Sequence, residues 1–163
     1  SDLYFNPIGA HSTGLIGEWP RGVPSNLFPF ITQVAIGKRN SLKVYGRDWP
    51  TKDGTGVRDY IHIMDLAEGH LSALKYLDSQ DGIFTNFNLG TSIGTTVLEL
   101  VRTFENVNKC KIPYKFVEKR AGDVAISIAD NKKAISLLDW HPNRNIEDMC
   151  IDGWLWQQNI KGF

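Results

Sequence analysis

The sequence predicts an α/β fold, on three observations. Short apolar stretches that read as strands alternate with longer ones whose apolar residues recur at helical spacing. Several of the longer stretches open on a helix-start signal, the clearest being Thr96 with Glu99 three positions on. The composition, 42% apolar and 22% charged over 163 residues, fits one globular domain able to bury a real core.

Taken in order, Leu3 to Pro7 reads as the end of a strand. From Gly9 to Pro24 glycines and prolines interrupt every period, and a patternless stretch at or above ~12–15 residues is usually a functional or a disordered loop. Asn26 reads as the N-cap of a helix with Leu27, Phe30 or Ile31, and Val34 on one face and Gly37 just past its end. Ser41 to Tyr45 reads as a strand and Arg47 to Gly56 as a polar loop. The strand Tyr60 to Ile63 leads into a helix from Asp65 to about Leu77. There Asp65 and Glu68 predict a capping pair, and Ala67, Leu71 and Leu74 the buried face. Ile83 to Leu89 reads as a strand. Gly90 to Thr96 reads as a tight strand-to-helix turn, with glycines wrongly spaced for a dinucleotide fingerprint and no P-loop lysine. Thr96 and Glu99 start a helix that buries Val97, Leu100, Val101 and Phe104. Tyr114 to Val117 is a short strand, Asp130 caps a brief helix ending near Leu138, and Asn145 caps a last helix through Trp156.

Bulk properties remove several function classes. The formal net charge is zero, and no Lys/Arg run of the kind that tracks a nucleic-acid backbone is present. Cys110 and Cys150 have neither metal-ligand spacing nor the density of a secreted scaffold, so reduced thiols and a cytoplasmic location are expected. No apolar run approaches the ~20 residues a membrane span needs, and no signal peptide opens the chain. His11, His62, His70 and His141 form no metal-binding pattern, and no Gly-x-Ser-x-Gly elbow occurs. His62, between Ile61 and Ile63, reads as a structural histidine. With five Trp and eight Phe, most aromatics should be core and one or two free to stack on a ligand base.

Three strings carry the functional signal. In Asp53-Gly-Thr-Gly-Val-Arg58-Asp59-Tyr60-Ile-His62 an arginine sits where a glycine-bearing loop enters a strand, a good position for a planar guanidinium that grips phosphate. The others are Tyr4-Phe5-Asn6-Pro7-Ile8-Gly9-Ala10-His11 and Arg120-Ala121-Gly122-Asp123. Together they resemble the UDP-glucose 4-epimerase family of extended short-chain dehydrogenases, from Tyr4 to Phe163, and match only the C-terminal half of that family. The resemblance implies the C-terminal substrate-binding part of such an enzyme: small sheets with flanking helices, the Rossmann core largely missing, and residues 1–163 forming one UDP-sugar-binding domain. It implies an isomerase that holds NAD and interconverts UDP-galactose and UDP-glucose through a 4-keto sugar, as a homodimeric parent. Such a scheme needs a firm grip on UDP and a loose one on the hexose.

The resemblance also implies a role for each matched residue. Tyr4, Phe5 and Pro7 fall at the strand end beneath the nicotinamide, and Asn6 where an amide bonds the substrate. Asn26 and Leu27 fall at a helix start that meets the diphosphate, where free N–H groups favour an anion. Lys43, Val44 and Tyr45 match the strand that holds uracil, with Tyr45 stacked on the base. Arg58 and Arg120 match two diphosphate-binding arginines, whose charge-assisted contacts are the strong kind, and Asp123 a ribose ligand. Ser127 aligns with a position lining the hexose pocket, where relatives carry a bulky Tyr or a small Cys. A serine there leaves room for N-acetylated UDP-hexoses.

The reactive pair of short-chain dehydrogenases, a Tyr followed four residues later by Lys, is absent. The residues four places after Tyr4, Tyr45, Tyr60, Tyr76 and Tyr114 are Ile8, Trp49, Met64, Gln80 and Glu118. No residue of this chain is therefore expected to be catalytic, and the chain alone is expected to be inactive. The strand-like start at Ser1-Asp2 leads to the expectation of an excised part. Two other readings stay open: a related sugar-nucleotide dehydratase or decarboxylase, and a non-catalytic binding module.

Overall fold

The computed structural model describes residues 2–160, with residues 2–4 described by their backbone alone. In chain order the elements are β1 (Asp2–Tyr4), β2 (Asn6–Ile8), α1 (Leu27–Ala35), β3 (Leu42–Tyr45), β4 (Val57–His62), α2 (Ile63–Asp78), β5 (Phe87–Leu89), β6 (Gly94–Thr96), α3 (Val97–Asn108), β7 (Tyr114–Val117), β8 (Ile126–Ser127), α4 (Lys132–Leu138) and α5 (Ile146–Asn159). The α/β class and the small sheets with flanking helices are as predicted.

The expected opening strand is two strands in different sheets. β1 pairs parallel with β5, Tyr4 opposite Leu89. After Phe5 the chain crosses over, and β2 pairs parallel with β4, Asn6 opposite Tyr60 and Ile8 opposite His62. β4 is the hub of the larger sheet. Its second half lies beside β2, while its first half pairs antiparallel with β6, Arg58 opposite Thr95, and parallel with β8, Arg58 opposite Ser127. β3 and β7 form a separate parallel ribbon.

Two apolar clusters support these sheets. The larger gathers Ile8 of β2, Phe28, Ile31 and Val34 of α1, Leu42 and Val44 of β3, Tyr60 of β4, the α3 stripe, and Met149 and Cys150 of α5. The Phe104 ring sits edge-on to Phe28 and Trp154, with centroids 5.9 and 5.7 Å away. The smaller cluster joins Ile61, Leu66, Ala73, Phe87, Leu89, Ala134, Leu138 and Trp140. Both cysteines are free thiols; Cys150 is buried, and burial pushes its pKa up to about 12.

Helix ends follow the local rules in some places and depart from them in others. Thr96 and Glu99 form the predicted capping box, and Asn145 forms a second one with Asp148. Asn26 occupies the N-cap of α1 without a side-chain capping bond, and Gly37 takes the left-handed conformation just past the end. Asp130 precedes the formal N-cap, Asn131, and accepts a hydrogen bond from the Lys132 amide at 3.2 Å.

The start of α2 is the main correction. Asp65 does not cap it. His62 does, its Nδ1 accepting from the Met64 amide at 3.0 Å. That bond puts the ring proton on Nε2, which donates to Asp152 at 3.2 Å. Asp65 and Glu68 turn instead to Arg144, and Asp65 also accepts from the Arg144 amide at 2.9 Å. With Asp65 inward, Leu66, Gly69 and Ala73 face the core and the predicted Ala67–Leu71–Leu74 face turns to solvent. Three more strands differ from expectation. The Ile83–Leu89 strand shortens to β5, because residues 83–86 find no partner strand. β6 and β8 exist only through pairing with β4, which no local pattern announces.

Candidate functional site

A pocket of about 260 Å³ opens where β2, the start of α1, β3 and the first half of β4 converge. Its walls are assembled from five separate parts of the chain. β2 and the residue before it contribute Phe5, Asn6 and Pro7. The entry to α1 contributes Asn26 and Leu27. β3 contributes Lys43, Val44 and Tyr45, and Arg58, Arg120 and Asp123 close the ring. All of these were singled out from the sequence. Ser127 is not on the lining; it stands on β8 opposite Arg58 in the ladder. The side chain of Tyr4 lies outside the described residues.

The arginine geometry has a traceable cause. Gly54 is left-handed at φ +78°, and a Cβ there would run into the Arg47 carbonyl. At Gly56 an added Cβ would sit 3.2 Å from Arg58 Nη1, so the bare backbone leaves room for the guanidinium to fold back. Arg58 Nη1 donates to its neighbour Val57 O at 2.8 Å and to Val124 O at 2.9 Å, which ties β4 to the run into β8. Arg58 Nη2 approaches Asp123 Oδ1 at 3.7 Å, while Arg120 Nε meets Asp123 Oδ2 at 3.4 Å. One carboxylate thus spaces two guanidinium groups on the pocket rim. With Lys43 added, the lining holds three cations against a single acid.

Neighbouring polar groups fix the frame. Asp59, fully buried beside Arg58, accepts from the amides of Thr91, Ser92 and Ala129 and from the Thr91 hydroxyl, at 2.5–3.1 Å. Asn6 Nδ2 donates to Asp59 O at 3.3 Å. On the far side, Asp53 accepts from Thr55 and Thr96. Burial pushes the Asp53 carboxyl up, but those hydrogen bonds outweigh it and hold the pKa below the usual range. At the start of α1, Pro29 removes one backbone donor, and the Asn26 side chain leaves the remaining first-turn N–H groups uncapped.

Some lining residues were not read as site residues. Trp49 closes one edge, its Nε1 donating to Tyr45 O at 3.3 Å, with Lys119 Nζ 4.3 Å from its ring centre. Phe28, Tyr60 and Val97 form the apolar floor. Burial pushes the Tyr60 phenol well above its ordinary value, against the opposing pull of Arg58. From the sequence Val97 reads as a core residue and Tyr60 as the start of a strand, while nothing singles out Phe28. A further finding concerns Tyr45: the guanidinium of Arg120 lies 4.1 Å from its ring centre, over one face. His62 is buried and structural, as expected.

The arrangement suits a ligand with an anionic middle and a flat end: two arginines and uncapped helix amides for the anion, a tyrosine ring for the flat group.

Comparison with known proteins bears on this. The model of the GDP-mannose 4,6 dehydratase family matches residues 4–152. A UDP-glucose 4-epimerase of Bacillus subtilis is 52% identical over 161 residues, 98% of this chain and 47% of the relative. Among solved structures, a UDP-glucose 4-epimerase of Stenotrophomonas with bound NAD and formylated UDP-arabinopyranose superposes with a TM-score of 0.95 at 47% identity, covering 98% of this chain and 47% of that one. One from Bifidobacterium longum, in complex with NAD+ and UDP, gives 0.93 at 44% identity, covering 99% and 48%. The chain belongs to the GDP-mannose 4,6 dehydratase family, and it spans about half the length of the curated relatives it matches.

Proposed function

We propose, from that family membership, that residues 1–163 form the nucleotide-gripping domain of a UDP-glucose 4-epimerase and that the pocket holds the UDP moiety of a UDP-hexose. One observation carries the reading: Arg58, Arg120, the α1 start and Tyr45, distant in sequence, converge on one small cavity. In this reading Arg58 and Arg120 take the diphosphate with the Asn26–Leu27 amides, Lys43, Val44 and Tyr45 take uracil, and Asp123 takes the ribose. Asn6 reaches toward the sugar. The two structural relatives described above were solved with UDP or a UDP-sugar bound, which supports the assignment.

The chemistry divides accordingly. NAD, when bound in the parent enzyme, supplies reversible hydride transfer at the sugar. The described residues do not fit the whole cofactor: Phe5 and Pro7 offer one wall, and no glycine-rich cradle for a pyrophosphate stands beside them. The contribution of this domain is grip, holding the nucleotide while the hexose is left free to turn. The chain lacks the Tyr/Lys pair and is therefore inactive alone; mixed with UDP-galactose and NAD it yields no UDP-glucose. Ser127, a small residue beside Arg58 in the ladder, makes room for N-acetylated hexoses in the parent. The parent is read as a cytoplasmic homodimer; among the described residues no helix is long and apolar enough to cross a membrane.

Calorimetric titration of UDP into the chain tests the pocket. Loss of a charge-assisted contact weakens binding by roughly 10- to 100-fold in Arg58→Ala, and Arg58→Lys falls between, since it keeps the charge and loses the fork. UDP affinity unchanged in Arg58→Ala, or dTDP preferred over UDP, would overturn the reading.

A further inference from the structure

Beside the nucleotide pocket lies a larger groove, about 810 Å³, which shares Ser25, Asn26, Leu27, Lys43, Tyr45 and Arg120 with it and extends along the α1–β3 connection to β7. Five cationic side chains line it (Lys38, Arg39, Lys43, Lys115 and Arg120) and no carboxylate does, in a chain whose formal charge is zero. Among the described residues only Arg120 of these five meets an acid, Asp123 of the neighbouring pocket. Lys38, Arg39, Lys43 and Lys115 form no ion pair among the described residues.

Strand register concentrates this charge. Lys43 stands directly opposite Lys115 in the β3–β7 ladder, so both stems leave on one face of the ribbon. Like charges held side by side on one face repel, and a multiply charged anion between them turns that repulsion into attraction. Arg39 is already oriented: its Nε donates to Gln33 Oε1 at 2.6 Å, and its guanidinium carbon lies 4.7 Å from the Phe30 ring centre. A planar donor held this way loses little freedom when it binds. Opposed lysines, a braced arginine and the absence of lining acids suit a compact polyanion, and the groove is far too small for a nucleic-acid duplex.

We propose that this groove is a second anion site, taking a phosphate-rich small anion of the pyrophosphate or tripolyphosphate class beside the nucleotide pocket. Its distinctive residues are Lys38, Arg39 and Lys115, which the nucleotide reading does not use.

Tripolyphosphate titrated into the chain at low salt, followed by amide NMR with and without saturating UDP, tests it. The expected result is shifts centred on Lys38, Arg39 and Lys115 that persist when UDP is present. Affinity for tripolyphosphate falls at least about tenfold in the double variant Lys38→Ala/Lys115→Ala, while UDP affinity stays within about twofold. Both lysines are exposed, so the variant keeps the fold. Shifts confined to Asn26, Arg58 and Arg120 and abolished by UDP would overturn the proposal, as would unchanged tripolyphosphate affinity in the double variant. The two readings fail separately: if UDP does not bind at all while tripolyphosphate still shifts Lys38 and Lys115, the nucleotide assignment falls and the groove stands.

Discussion

Helices α3 and α2 are both amphipathic and both attached to β4, α2 by the chain and α3 through β6, yet they dispose of their apolar residues differently. α3 turns Leu98, Leu100, Val101 and Phe104 into the larger cluster, Phe104 at 0% exposure. α2 gives the smaller cluster Leu66 and Ala73, leaves Gly69 where Leu89 and Trp140 come close, and keeps Leu71 and Leu74 53% and 60% exposed. The difference comes from what sets each helix's rotation. α3 is positioned by its own capping box. α2 is positioned by Asp65, which is turned inward to reach Arg144 79 residues away, and that choice puts the apolar stripe about one residue out of phase. An apolar stripe records what a helix can bury; the partner that fixes its rotation decides what it does bury.

The largest effect that would test this contrast lies in α3. Phe104→Ala is expected to destabilise the chain by about 3–5 kcal/mol, since it removes a ring held between Phe28 and Trp154. Chemical denaturation measures it, and a loss under about 1 kcal/mol would mean the cluster repacks freely. Next, Thr96→Ala removes the α3 cap, together with a hydroxyl that donates to Asp53, and should cost about 1–2 kcal/mol.

The two caps also differ in their response to acid. Burial disfavours the His62 cation more than Asp152 favours it, so the His62 pKa lies below its ordinary 6.5. The contribution of a group depressed in this way is whole above about pH 6.5 and is lost as pH falls through the folded value. At α3, burial pushes Asp53 and Glu99 up, but hydrogen bonds from Thr96 and Thr55 to Asp53, and from Lys52 and Thr96 to Glu99, win and lower both. Those contributions are whole above the ordinary carboxylate range and vanish only in stronger acid. Between about pH 7 and about pH 5, hydrogen exchange in the first turn of α2 should therefore rise before that of α3, after correction for intrinsic rates. Simultaneous loss of protection would contradict the assignment of His62 as a neutral cap. The smallest effect is expected for Leu74→Gln, within about 0.5 kcal/mol of the parent chain. A loss above about 1 kcal/mol would show that the exposed face of α2 is covered.

The sequence made visible whatever depends on near neighbours. The Thr96–Glu99 box and the Asn145 cap are rules spanning a few residues, and each appears where expected. The pocket was legible through strings that carry a resemblance, which is why residues as far apart as Asn6, Asn26, Tyr45, Arg58 and Asp123 could be named together. What escaped was set at long range. β8 is two residues long and exists because β4 lies beside it. Nothing near Asp59 announces a buried carboxylate with four donors, and nothing near Trp49 announces a pocket edge. Arg144, which turns α2, sits in an ordinary polar loop.

The stacking of Arg120 on Tyr45 has a consequence for how anything flat arrives. That side of the phenol ring already has an occupant, supplied by the chain itself, so an incoming heterocycle can lie there only by evicting it. Once dislodged, the cation must find other company, and the nearest is the negative charge that a visitor brings. Entry on that side therefore favours a guest carrying both a plane and an anion over one carrying a plane alone, a discrimination made before the guest has settled.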